Sequence, residues 1–162
     1  MSLVKPERSF SMPEDVLRQI GTIARSLDSI SNVEFKQIDL AKGQYLYLVR
    51  IAEHPGIIQE RLSELLCVDK TTATRALQKL VQNDLIRKEA DPTNKKIRHL
   101  YVTDKGRQLY PLIKRENDFS TQIALNGLSE PERAELSRLL AQVSQNVAAN
   151  WLSVKKGRQR HY

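Results

Sequence analysis

Seven side chains with cationic or hydrogen-bonding ends crowd into residues 70–79: Lys70, Thr71, Thr72, Thr74, Arg75, Gln78 and Lys79. Among them Ala73, Leu77, Leu80 and Val81 recur at helical spacing, so the stretch reads as a helix with an apolar inner face and a polar outer one. An arginine on such a face can hold guanine with a bidentate contact, threonines can meet base edges or phosphates, and lysines suit phosphate oxygens. A second cluster, Lys95, Lys96 and Arg98, stands beside the turn formers Asp91, Pro92 and Asn94. Basic side chains on a narrow ribbon match the concentrated negative potential of a narrow minor groove. Asp91 is expected to pair with Lys96 or Arg98 and so brace the tip, adding little stability.

Both clusters need scaffolding of a particular order. Pro55-Gly56 precedes a helical stretch Ile57 to Leu66, and Cys67-Val68-Asp69 forms a tight turn. Lys70 to Gln82 is the second helix, with Asp69 positioned to accept backbone N–H bonds at its start. Asn83-Asp84 supplies residues that tolerate the left-handed exit of a helix. Leu85 to Glu89 and Ile97 to Val102 then read as two strands about the polar tip. Helix, turn, helix and basic hairpin predict a winged helix-turn-helix over about residues 40–106, with the second helix and the hairpin sized for the two grooves of a duplex.

The flanks read as helices with wide apolar stripes. Ser11-Met12-Pro13-Glu14 is a helix start, a serine cap with proline in the first turn and a glutamate that closes a capping box. That helix is expected over about 11–33, after a flexible stretch 1–10 and before a connection from Ser31 to Asp39. The next runs from Leu40 to Glu53 with Tyr45, Leu48, Val49 and Ala52 on one face. From about 104 to 153 two more helices follow, separated at Gly127, with Leu109, Leu112, Ile113, Phe119 and Ile123 on the first and Leu136, Leu139, Leu140, Val143, Val147 and Trp151 on the second. Such stripes must be covered, either by the central unit or by a second copy, and pairing is favoured because a winged helix completes its core with three helices and a hairpin. The fold class expected is mainly α with a small β-hairpin wing, one unit over 11–154, and a basic tail over 155–162.

Composition sets outer bounds. The chain has 162 residues, a formal net charge of +7 and a pI near 9.6. Residues 57–106 hold ten Lys/Arg against seven Asp/Glu, and residues 107–162 nine against five, whereas residues 1–56 balance at seven each. Basicity permits nucleic acid or an anionic membrane as partner and does not choose between them. The tail residues Lys155, Lys156, Arg158 and Arg160 form either a solvated end or an auxiliary phosphate-binding arm. One cysteine, no signal-peptide pattern and no apolar run of spanning length fit a reducing cytoplasm. His54, His99 and His161 lack ligand spacing, so no metal is expected, and neither a cofactor loop nor a catalytic set is present, so no enzyme is expected.

The runs Pro55-Gly56, Gln59-Glu60-Arg61-Leu62-Ser63, Val68-Asp69-Lys70-Thr71-Thr72-Ala73-Thr74-Arg75, Leu85-Ile86-Arg87, Asp91-Pro92 and Val102-Thr103-Asp104-Lys105-Gly106 resemble the multiple-antibiotic-resistance-repressor (MarR) family of bacterial regulators. The resemblance runs from the first helix to the last. It implies a homodimer joined by its terminal helices, each subunit placing a recognition helix in successive major grooves of a palindromic operator. It also implies release by a small anionic or phenolic ligand in a cleft between the dimer helices and the DNA-binding unit, with Tyr45, Tyr47 and Arg50 as lining. Three departures stand out: Asn94-Lys95-Lys96 replaces the family's Asp-x-Arg tip, Cys67 and Asp84 occupy places that often hold glycine, and Ala41 replaces a threonine. Cys67 is expected to be a small, semi-buried packing residue rather than a redox sensor. The alternative to a DNA-binding regulator is a winged helix that docks a protein, against which stands the lack of aromatics on the 70–79 face.

Overall fold

The computed structural model describes residues 15–41 and 43–162, so the expected cap Ser11 to Glu14 and the flexible stretch 1–10 lie outside the described residues. The chain forms α1 (Val16–Phe35), α2 (Gln44–Glu53), β1 (Ile57–Ile58), α3 (Gln59–Leu65), α4 (Lys70–Gln82), β2 (Ile86–Ala90), β3 (Arg98–Val102), α5 (Asp104–Ala124) and α6 (Glu130–Lys155). Three antiparallel strands in the order β1-β3-β2 make the sheet, with Ile57 opposite Leu100 and Ile86 opposite Val102. Its core gathers Leu48 and Ile51 of α2, Leu62 of α3, Leu77 and Leu80 of α4, Ile86, Leu100 and Ile113, all essentially inaccessible to solvent. Among the described residues no helix is long and apolar enough to cross a membrane.

Four expectations are corrected. Ile57 and Ile58 are a short strand and not a helix start: Gly56 turns the chain at φ +84°, and the two β-branched residues then pair with His99 and Leu100 of β3. The stretch from Ser31 is no simple connection, because α1 continues to Phe35 and a 3-10 turn spans Lys36–Ile38. What holds it is Phe35, buried with its ring 4.9 Å from that of Tyr45. Helix α2 buries Gln44, Tyr47, Leu48 and Ile51, so its inner face is rotated from the expected one, and Tyr45, Val49 and Ala52 are only half-buried. Cys67 is exposed rather than semi-buried, since its φ of +51° swings it outward as α3 ends. Asp84 likewise takes φ +56° after α4, so both positions where the family often has glycine hold a left-handed residue here.

Helix α5 is tied tightly to the winged unit. Thr103 caps it, accepting from the Gly106 N–H at 3.1 Å while donating to the Asp84 carbonyl at 2.6 Å. Gly106 lies so close to β2 that a Cβ there would overlap the Leu85 carbonyl oxygen and come within 2.7 Å of Val102 Cγ1. Beyond Ile113 the helix leaves the core: Phe119 and Ile123 are more than half exposed, and α6 has no buried residue at all. Leu136, Val143 and Trp151 of α6 are half-buried, whereas Leu139, Leu140 and Val147 face outward.

Candidate nucleic-acid interface

Helix α4 is fixed by its inner face and its cap. Ala73, Leu77 and Leu80 are buried, and Asp69 accepts from the Thr72 N–H at 2.8 Å and the Thr72 hydroxyl at 2.6 Å. These bonds hold the Asp69 carboxyl below its usual range, with the Thr72 hydroxyl as the main cause. The side chains of Lys70, Thr71, Thr72, Arg75, Gln78 and Lys79 are exposed. Thr71, Arg75 and Lys79 share one line of the helix at four-residue spacing, and Gln78 lies beside it. Among the described residues neither Lys70, Arg75 nor Lys79 has a carboxylate within ion-pair distance, unlike Arg50, Arg61 and Arg107.

Thr74 departs from the expected role. It is half-buried, its hydroxyl donates to the Lys70 carbonyl at 2.8 Å and accepts from Gln59 Nε2 at 2.7 Å. Its hydrogen-bonding capacity joins α3 to α4, so it positions the outer face instead of belonging to it. The Thr72 hydroxyl is likewise committed, donating to Asp69 Oδ2 at 2.6 Å.

The wing tip is built around Asp91. Its Oδ1 accepts from the Thr93 N–H, the Thr93 hydroxyl and the Asn94 N–H at 2.8–2.9 Å, an Asx turn that fixes the tip's backbone. Asn94 Oδ1 in turn accepts from the Lys96 N–H at 3.1 Å. The expected pairing of Asp91 with Lys96 or Arg98 is not formed. Its Oδ2 meets His99 Nε2 at 2.9 Å instead, and these donors hold its carboxyl far below the usual carboxylate range. Lys95, Lys96 and Arg98 therefore stay exposed, without a carboxylate partner among the described residues. Lys88 on β2 adds a cation outside the sequence-predicted set; it lines one open cleft with Lys70, Lys96, Arg98, the last α6 residue Lys155 and its neighbour Lys156. Further along the tail, Arg160 folds back on Asn150 at 2.7 Å.

A separate cavity of about 350 Å³ lies between α1, α2 and α5, lined by Tyr45 and Arg50 together with Ser31, Glu116 and Asn117. Tyr47 does not reach it. Its ring is buried in the core on the opposite side of α2, so its place among the cleft residues is corrected. Burial pushes the Tyr45 phenol above its ordinary value.

A model of the MarR family matches residues 40–97. An uncharacterised HTH-type transcriptional regulator of Bacillus subtilis, YybA, is 54% identical over 148 residues, 91% of this chain and 99% of the relative. Among solved structures, a putative MarR-family transcriptional regulator from Listeria monocytogenes complexed with 26mer DNA is 55% identical, with a TM-score of 0.89 over 91% of this chain and 99% of that one. A MarR protein from Peptoclostridium difficile is 36% identical, with a TM-score of 0.83 over 95% of this chain and 97% of that one.

Proposed function

Because the chain belongs to the MarR family of helix-turn-helix transcriptional regulators, we propose that it binds a palindromic DNA operator as a homodimer and is a repressor released by a small anionic or phenolic ligand. The observation that carries the reading is the outer face of α4, where Thr71, Arg75, Gln78 and Lys79 are exposed and the cations are left unpaired among the described residues. Unpaired cations on a rigid helix are ready for phosphate and base edges, whereas intramolecular partners would have to be broken first. In this reading Arg75 and Thr71 read bases, Lys70 and Lys79 hold phosphates, and Lys95, Lys96 and Arg98 grip the backbone and minor groove. Selection from random duplex DNA should return a site with two-fold symmetric halves about one helical turn apart. An unsymmetric or featureless set of selected sequences would count against a homodimer reading specific sites.

A second copy is the natural cover for the terminal helices. A groove between α1 and α5 exposes Ile23, Ile30, Leu112, Phe119 and Ile123, and α6 of the same chain leaves Leu139, Leu140 and Val147 uncovered. Phe119 is 62% exposed, so Phe119→Asp spares the subunit's own core while burying two charges in the pair's interface. Sedimentation at micromolar concentration should show a dimer for the natural sequence and monomer for the variant, with operator affinity reduced by about 30-fold or more, the scale of an interface hot spot. A natural-sequence monomer under those conditions would remove the pairing from the proposal.

The ligand is assigned to the cavity beside Tyr45 and Arg50. Arg50 is engaged with Glu53 at 2.8 Å on the surface, so an anion there would compete with that exposed pair, which holds little energy. A ligand that favours a dimer with the wrong spacing of its recognition helices lowers DNA affinity by its preference between the two states.

A further inference from the structure

His99 ties the root of the wing to its tip. Its Nδ1 lies 2.8 Å from the Gly56 carbonyl at the start of β1, and its Nε2 lies 2.9 Å from Asp91 Oδ2. Both partners are oxygens that carry no proton, and a neutral imidazole has only one N–H to donate. Both contacts are hydrogen bonds only when the ring is an imidazolium. The connection is local in space and distant in sequence. Glu89 is the cross-strand partner of His99, so Asp91, two residues further on the same face, is its diagonal neighbour. Gly56 is itself held by its N–H bond to the Leu100 carbonyl at 2.9 Å. One ring therefore joins the turn before β1, β3 and the turn that carries Lys95 and Lys96.

We propose that protonated His99 is the positioning residue of the wing, clamping its tip to its root in the arrangement that grips DNA, and that loss of its proton releases the clamp and weakens binding. This rests on the DNA-binding reading of the winged unit. The charged groups facing the ring are Asp91 on the tip and Glu89 on β2, the latter held by Arg87 at 2.9 Å; β1 contributes Ile58, and the residue before β1 the Gly56 carbonyl. Next on the same face of β3 is Tyr101, under the Arg87 guanidinium at 4.8 Å. The Asp91 bond, then the Gly56 bond, raise the His99 pKa above that of a free imidazole. A raised folded value means the clamp stabilises fully below the unfolded imidazole range and is lost as pH rises through the folded value. Because the ring is partly exposed, solvent limits the stability at stake, and the effect is read in wing order and DNA affinity rather than in global unfolding. Nothing in residue type alone points to this role, since one histidine in a strand is an ordinary surface residue.

Three readouts on the protein test it. Imidazole NMR should place the His99 titration above that of a free imidazole, and Asp91→Asn should bring it down. The Thr93 and Asn94 amides, which donate to Asp91, should lose exchange protection between about pH 6 and about pH 9, beyond the intrinsic rise of exchange with pH, and show no such step in His99→Gln. Affinity for the selected duplex at fixed ionic strength should fall roughly fivefold over that range, the low end of coupling between linked sites, and stay flat in His99→Gln and His99→Leu. Parallel pH profiles for the natural protein and His99→Gln, with duplex binding intact, would overturn the clamp. Absence of duplex binding at every pH would overturn the DNA reading instead, and with it the clamp's role in gripping DNA, while the NMR and exchange data would still judge the clamp itself.

Discussion

Arg75→Ala is expected to weaken operator binding by about 10- to 100-fold and to relax preference at one base pair in each half-site, the 1–3 kcal/mol range of a bidentate base contact. Arg75 is exposed on α4, one turn from Thr71 and from Lys79, and its guanidinium has no carboxylate partner among the described residues. Removing it costs no ion pair inside the protein, so the fold should be unaffected and the loss should appear in DNA binding alone. Lys79→Ala serves as the contrast. It should weaken all sequences alike and flatten the log–log salt slope by roughly 0.9 for each phosphate it no longer neutralises. Arg75→Lys should not restore the preference, because an ammonium offers a point charge where guanine needs a planar fork. Operator binding by Arg75→Ala at natural strength would remove Arg75 from the reading face.

Gly106→Ala should have the largest effect on stability, about 3 kcal/mol, the upper part of the range for overpacking a closed site. Alanine is ordinarily the better helix former by about 1 kcal/mol, so propensity alone predicts the opposite sign. The geometry decides it. The added methyl meets the Leu85 carbonyl, which is backbone and already accepts from the Thr103 N–H at 3.0 Å, and Leu85 itself is buried. Relief requires shifting β2 against α5, the junction that carries the wing relative to the terminal helices. Thermal unfolding should drop by roughly 6–12 °C, taking about 2–4 °C per kcal/mol for a chain of this size. Gly21→Ala is the control: its Cβ would meet only the flexible end of Arg25, at 3.0 Å, and should leave the midpoint unchanged or raise it. An unchanged midpoint for Gly106→Ala would mean that β2 and α5 separate without cost.

The winged unit is legible in the sequence because its signals are local. Asp69 before a periodic run marks the start of α4, Asn83-Asp84 marks its end, and the polar tip between two β-rich runs marks the hairpin. Where structure and expectation part, tertiary contacts decide. Ile57 and Ile58 are a strand only because β3 offers them partners, and a two-residue strand has no periodicity to detect. The inner face of α2 turns on whether Tyr45 or Tyr47 points to the core, and both spacings are helical. Thr74 and Thr72 look like free hydroxyls in sequence, yet Gln59 and Asp69 occupy them. Asp91 is recognisable as a brace, but its partner His99 is visible only once the strand register is known. Ile123 and Leu139 lie on apolar stripes that helical spacing marks, yet both are exposed among the described residues, so no contact within them covers these positions fully.

The most direct test of the DNA-binding reading is the salt dependence of affinity for the selected duplex. Gripping DNA with the α4 and wing cations of two subunits should neutralise about six to ten phosphates, giving a log–log slope between roughly −5 and −9. A slope near zero, with binding retained, would mean that these cations do not face the duplex and that the winged unit serves another partner.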